Sequence, residues 1–198
     1  MLRHKVLLAF ACGAAVAVVA APGAGAGAQT ECNAAYSNTT LKGGVVVNAG
    51  DVCILDNVTV KGGLTVNGGQ ISVTDSTISG GWSITGAVDA LTYMCGNDVN
   101  GGLDVTGVTT ATVLSFGEAN ANCSGGTVNG GVSFVDNPLA FVELDSYTAN
   151  GGVTFAGNGG GELEGTIVHG SASCQPGIFN DGDGGPNTYT GPNAGCPA

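Results

Sequence analysis

The chain has 198 residues, 37 of them glycine, with fifteen acidic side chains against four lysines and arginines. Two of those four cations, Arg3 and Lys5, fall in an N-terminal leader, so the rest of the chain keeps only Lys42 and Lys61, has no arginine and carries a net charge of −13. A phosphate backbone or an anionic lipid surface needs Lys and Arg to neutralise it, so the balance argues against nucleic acid and membrane headgroups as partners; acidity of this kind keeps an exported protein in solution.

In chain order, the first element is a secretory signal peptide, residues 1–28. Arg3, His4 and Lys5 form a basic start, Val6 to Ala21 an apolar run, and Pro22 to Ala28 a small-residue stretch. Ala26-Gly27-Ala28 has the form of a cleavage site that leaves Gln29 first, with Ala24-Gly25-Ala26 as the alternative. The run is too short for a membrane anchor, and no later segment is apolar enough to span a bilayer. The expected location is therefore extracellular or at the cell surface.

Residues 29–40 read as a lead-in, and a repeat starts at Leu41. Its marks are Gly43-Gly44, Gly62-Gly63, Gly80-Gly81, Gly101-Gly102, Gly130-Gly131 and Gly151-Gly152, with Gly170-Ser171 as a worn seventh; the spacings are 19, 18, 21, 29, 21 and 19. The long fourth interval reads as an ordinary coil with a loop inserted near Asn120 to Gly126. An apolar–small–apolar triplet follows each mark, and period-2 alternation turns its first and third side chains inward. One inward rank is Val45, Leu64, Trp82, Leu103, Val132, Val153 and Ala172; the next is Val47, Val66, Ile84, Val105, Phe134, Phe155 and Cys174. Another apolar residue precedes each mark: Leu41, Val60, Ile78, Val99, Val128, Ala149 and Val168. A less regular wall is expected from Ile54, Ile71, Val73, Leu91, Val113, Leu114, Phe141 and Val142. Turn positions follow at Gly50, Gly68, Gly86, Gly107, Asn137 and Gly157, where a positive φ is cheap for Gly and tolerable for Asn.

Short β runs returning every 18–21 residues without helical pattern between them cannot build βαβ units. Stacked one per coil they make a parallel ladder about 4.8 Å per step. The predicted fold is an all-β, single-stranded parallel β-helix (β-solenoid) of about seven coils over residues 41–178, with a right-handed winding expected. Residues 179–198, rich in Gly, Pro and Asn, read as an irregular tail. An antiparallel sandwich would require hairpin turns and no fixed period.

From Leu41 to Ser173 this pattern resembles the parallel β-helix proteins, particularly the short-coil kind typified by bactofilins, where Gly-punctuated coils of similar length recur. It departs from them in the export signal, the cysteines and the acidity.

Beyond the leader stand Cys32, Cys53, Cys95, Cys123, Cys174 and Cys196, an even number in an exported chain, which argues for three disulfides. Fifteen pairings are formally open. Coil alignment puts Cys95 and Cys123 on neighbouring rungs, Cys32 beside the first coil that holds Cys53, and Cys196 near the last coil that holds Cys174. The predicted bridges are therefore Cys32–Cys53, Cys95–Cys123 and Cys174–Cys196. Both ends would then be tied down, which predicts a capped monomer.

Candidate chemistry is sparse. His169 takes the place held by Lys42, Lys61, Ser79, Asn100, Asn129 and Asn150 in other coils and has no recognisable nucleophile or orienting partner. The asparagines of that row read as stacked amides at a bend. Asp56, Asp75, Asp98, Asp145 and Glu164 form a loose acidic row, the residue type of a glycan-cleaving pair or a Ca²⁺ site. Asn180-Asp181-Gly182-Asp183-Gly184 has a trace of a calcium loop but lacks its distal glutamate, so a plain acidic turn is expected. Thr40, Thr59, Thr77, Thr127 and Thr148 recur just ahead of the marks, interrupted by Asp98. Flat threonine ranks serve ice binding on some solenoids, and threonine is equally a favoured residue of exposed strands. Asn38, Asn57 and Asn122 match the glycosylation sequon, to which an Ala/Gly-rich, bacterial-looking signal gives little weight. The reading reached is a secreted, non-enzymatic structural or surface-associated protein, with no catalytic residue, cofactor or metal assigned. The alternative is a small glycan-active β-helix enzyme, and an ice-binding or adhesin-type solenoid ranks behind it.

Overall fold

The computed structural model describes residues 28–88, 92–117, 123 and 125–198. Residues 1–27 of the expected signal peptide, Leu91 and most of the inserted loop, Asn122 among it, lie outside the described residues. The protein is a parallel β-solenoid with three faces. The first face is a nine-stranded sheet stacked in chain order from Thr30–Glu31 through Val45–Asn48, Leu64–Asn67, Trp82–Gly86, Leu103–Val108, Val132–Val135, Val153–Ala156 and Ala172–Cys174 to Asn193–Ala194. The other two faces are joined at their base by Ala35–Leu41 and Val52–Val60, which run on around the corner between them. The pairings along these ladders are parallel among the described residues, as a one-strand-per-coil winding requires. Eight steps at the strand spacing make a rod about 38 Å long.

The marks are sites of close backbone approach. A Cβ on Gly101 would stand 2.6 Å from Gly81 N, one on Gly130 2.7 Å from Gly102 N, and one on Gly170 2.6 Å from Gly152 N. None of these first glycines has a positive φ, so absence of a side chain, and not backbone freedom, is what the position demands. The second glycine is less constrained in most coils: a Cβ on Gly102 would meet Gly131 O at 3.2 Å and one on Gly131 would meet Gly152 O at 3.3 Å, while on Gly63 and Gly152 it would meet carbonyl oxygens at 2.9 and 2.8 Å. That asymmetry explains Gly170-Ser171, which keeps the glycine that stacking requires and gives up the other.

The tail is not irregular, contrary to expectation. Thr188–Tyr189 pairs with Ile167–Val168 and Asn193–Ala194 with Ala172-Ser173, so residues 179–198 add an eighth turn. Its mark is Gly191-Pro192, again with glycine at the demanding place. The coil departs from the apolar pattern, with Asn193 and Ala194 of its first-face strand exposed. The lead-in is likewise part of the ladder, through Thr30-Glu31 on Val45-Val46 and Ala35–Leu41 along Ile54–Val60.

The two predicted inward ranks of the first face are buried, Cys174 partly, as is the rank from Leu41 to Val168. Rings of Trp82, Phe116, Phe134 and Phe155 follow one another along the core, with centroids 5.9, 5.4 and 4.9 Å apart, edge-on or tilted as ring quadrupoles prefer. The less regular wall is right at Ile71, Val73, Leu114 and Val142 and wrong at Ile54, Val113 and Phe141. Ile54 and Val113 point outward, 43% and 42% exposed, while Cys53, Leu55, Ile71, Val73, Met94, Leu114, Phe116, Val142, Leu144 and Leu163 are buried; Phe141 lies outside against Phe179. The turn of the sixth first-face strand is corrected too. Asp136, not Asn137, has the positive φ of 56°. Asn137 is fully buried; its Oδ1 accepts from Val108 N at 2.9 Å and its amide donates to Val105 O at 3.0 Å and Asn158 Oδ1 at 2.8 Å. Asn158 repeats the device, donating to Phe134 O. Interior amides thus satisfy corner backbone that cannot reach another coil.

Candidate functional site

The disulfides are Cys32–Cys53, Cys95–Cys123 and Cys174–Cys196, with Cα separations of 5.4, 5.3 and 4.8 Å. Each spans roughly one strand spacing because its cysteines lie on or beside neighbouring coils. The first is wholly buried.

The structure divides the loose acidic row. Asp56 sits in rank with Thr74 and Cys95, accepting from Thr74 Oγ1 at 3.0 Å and Ser37 Oγ at 3.4 Å. Asp75 occupies a bend at φ 47°, and Asp98 lies on another face between Thr77 and Thr127. These three do not converge. The threonine rank is in register, Thr40, Thr59, Thr77, Asp98, Thr127, Thr148, and continues to Ile167 and Thr188. Asp98 and the 41%-exposed Ile167 break its chemistry. The asparagine row is a hydrogen-bonded ladder, with Asn150 Nδ2 donating to Asn129 Oδ1 at 2.8 Å and Asn129 Nδ2 to Asn100 Oδ1 at 2.9 Å. His169 follows at the same corner, where Thr190 Oγ1 donates to its carbonyl. The lower corner stacks Asn57 on Asn38 through a 2.8 Å amide bond.

Asp145 and Glu164, in contrast, are register partners on the second face, the last residues of Phe141–Asp145 and Gly160–Glu164. Alternation puts them on the outward side with Glu143 and Glu162, yet they are 5% and 1% exposed. What lies over Glu164 is the segment expected to be a plain acidic turn. Gly182 N donates to Glu164 Oε2 at 3.2 Å, and Asp181 N to Glu162 Oε1 at 3.3 Å. One carboxylate oxygen each of Glu162, Glu164, Asp181 and Asp183 fall within 4.8 Å of one another.

The electrostatics are those of crowded like charge. Burial, followed by Glu143, Glu162, Glu164 and Asp183, pushes the Asp145 carboxyl up to about 9. Burial and the neighbouring acids push Glu162 up to about 7, against a lowering hydrogen bond from the Asp181 backbone. Glu164 is raised as well, by burial and by its hydrogen bond with Asp183. Asp145 Oδ1 is buried without a hydrogen-bond partner. The nearest cation in sequence terms does not help: Lys61 lies five rungs below, about 24 Å away at the strand spacing. A group of this composition holds protons or a hard cation. Sequence reading found each half, the row end Asp145/Glu164 and the Asp181/Asp183 turn, but not their convergence.

A shallow open groove runs over the glycine ladder on the first face, floored by Gly81, Gly102, Gly131 and Gly152 and edged by Ser83 and Asp104. No described helix is long and apolar enough to cross a membrane. Comparison of the chain with protein-family models, with curated proteins and with solved structures gives no match.

Proposed function

We propose that the protein is a secreted, non-enzymatic structural or surface-associated solenoid, a capped monomeric rod that presents its flat faces to an extracellular or cell-envelope ligand. The observation that carries this reading is the placing of the three disulfides. They tie neighbouring coils at the first, middle and last parts of the ladder. Such bonds form and persist in oxidising compartments, in keeping with the export signal. The final coil also places Pro186, which has no N–H, two residues ahead of Thr188, where Ser146 and Gly165 two residues ahead of Thr148 and Ile167 donate to the coil above. Tyr189 Oη donates to Pro197 O at 2.6 Å and Asn187 Nδ2 to the same carbonyl at 3.2 Å, holding residues 197–198 against that coil. The likeness to short-coil bactofilin-type solenoids is one of pattern, and these end devices oppose the filament assembly that bare edges favour.

Sedimentation equilibrium of the disulfide-intact protein should give a monomer, and a panel of polysaccharides should show association without turnover. Turnover lost on Asp56→Asn, Asp75→Asn or Asp98→Asn would defeat the structural reading in favour of the glycan-active one. Concentration-dependent end-to-end assembly would defeat the capped monomer.

A further inference from the structure

The carboxylate group beneath the C-terminal turn goes beyond a structural rod. We propose that the protein binds one Ca²⁺ ion between Glu162, Glu164, Asp181 and Asp183, with the buried Asp145 carboxyl one rung below.

Three observations converge. First, the four ligand oxygens lie within 4.8 Å of one another. Oxygens at about 2.3–2.6 Å from a central Ca²⁺ span at most about 4.6–5.2 Å, whereas Mg²⁺ at about 2.0–2.1 Å demands a tighter octahedron and gives up its water reluctantly. Second, the donors are oxygen alone. The six cysteines beyond the leader are all in disulfides, which leaves no thiolate for zinc or copper; carboxylate suits hard cations. Third, Asp145, the register partner of Glu164 one rung below, is 5% exposed and keeps one carboxylate oxygen without a hydrogen bond. A buried, unpartnered carboxylate oxygen beside such a group is what a nearby cation stabilises and an ordinary acidic turn does not explain.

The site also has a structural consequence. Glu162 and Glu164 belong to the seventh rung of the second face, and Asp181 and Asp183 to the turn laid over it, so an ion between them fastens the eighth coil. It does on the second face what Cys174–Cys196 does beside the first. Gly184 fits this closure: a Cβ there would press on the Glu164 carboxylate at under 3 Å from its Cδ.

The test is calorimetric titration of CaCl2, and in parallel MgCl2, into the disulfide-intact protein stripped with chelator. One Ca²⁺ per chain is expected, with Mg²⁺ at least tenfold weaker. Asp181→Asn and Asp183→Asn, both exposed and therefore compatible with folding, should each weaken Ca²⁺ at least tenfold, and Asp98→Asn should leave it unchanged. Hydrogen exchange at residues 181–189 should slow on Ca²⁺ addition. The proposal is overturned by the absence of saturable Ca²⁺ binding at concentrations tenfold above the ~1 mM range of extracellular calcium modules. It is overturned equally by binding that survives the Asp181→Asn/Asp183→Asn double variant. Monomeric, non-catalytic protein without calcium binding would leave the structural rod standing and remove this site alone.

Discussion

Replacing Gly101 by alanine tests the physical basis of the repeat. The new Cβ would stand 2.6 Å from Gly81 N and 2.7 Å from Gly81 Cα, roughly 0.8 Å inside the ~3.5 Å at which carbon atoms rest. Both obstacles are backbone, so no side chain can swing away, and the two coils must part. The bonds at risk are Asn100 N to Ile78 O at 2.9 Å, Gly101 N to Gly80 O at 3.1 Å and Trp82 N to Gly102 O at 2.9 Å. Losing two of them at about 1 kcal/mol each, with an overpacking cost of about 1–3 kcal/mol, gives a loss of about 3–5 kcal/mol. Gly102→Ala meets only Gly131 O at 3.2 Å and should cost below about 1.5 kcal/mol. Gly107→Ala meets nothing within 4 Å but holds φ at +66°, so it isolates the backbone cost of about 1–2 kcal/mol. Urea unfolding followed by far-ultraviolet circular dichroism, without reductant, gives the ordering; midpoints and slopes should both be compared, because a ladder need not unfold in two states. If Gly102→Ala destabilises as much as Gly101→Ala, the collision argument is wrong.

Asn137→Ala should destabilise by about 3 kcal/mol or more, since it strands Val108 N and Val105 O in the interior; a thermal melt level with the native protein would contradict that. Opening Cys95–Cys123, which spans 28 residues, should lower global stability by about 3 kcal/mol. Opening Cys174–Cys196 should instead fray the last coil, read as early proteolytic cuts confined to residues 175–198. Proton linkage gives a signed expectation in the presence of chelator. The folded Asp145 carboxyl sits at about 9 against 3.8 unfolded, so between those values the native state holds the extra proton. Stability should then fall as pH rises from 4 towards 9, by up to about 1.4 kcal/mol per pH unit from this group, and Asp145→Asn should flatten the slope.

What could be read from the sequence was whatever a two-residue period or a backbone collision imposes. The first-face ranks were legible because Val45, Leu64, Trp82 and their successors leave no choice of face. The cysteine pairing was legible because one coil step matches the reach of a disulfide. The second face was legible only in part: Ile71, Val73, Leu114 and Val142 are inside as expected, but Val52 and Ile54 outside are as apolar as Cys53 and Leu55 inside, and period alone cannot choose between them. The carboxylate site was hidden for a different reason. Its outer half lies in a tail whose Gly-Gly pair, Gly184-Gly185, stands only 14 residues after Gly170, out of phase with the marks, so that the tail reads as irregular. Yet Gly170 to Gly191 is 21 residues, an interval already present between Gly80 and Gly101 and between Gly130 and Gly151. The first glycine of a mark is the more tightly confined, so a single glycine at that interval suffices to set the tail in phase. Once Gly191 is accepted as a mark, Asp181 and Asp183 fall in the next coil, just past Phe179, the register partner of Glu162. The same collision that spaces the backbone therefore brings the four acids together, and the ion site follows from the packing rule of the rod.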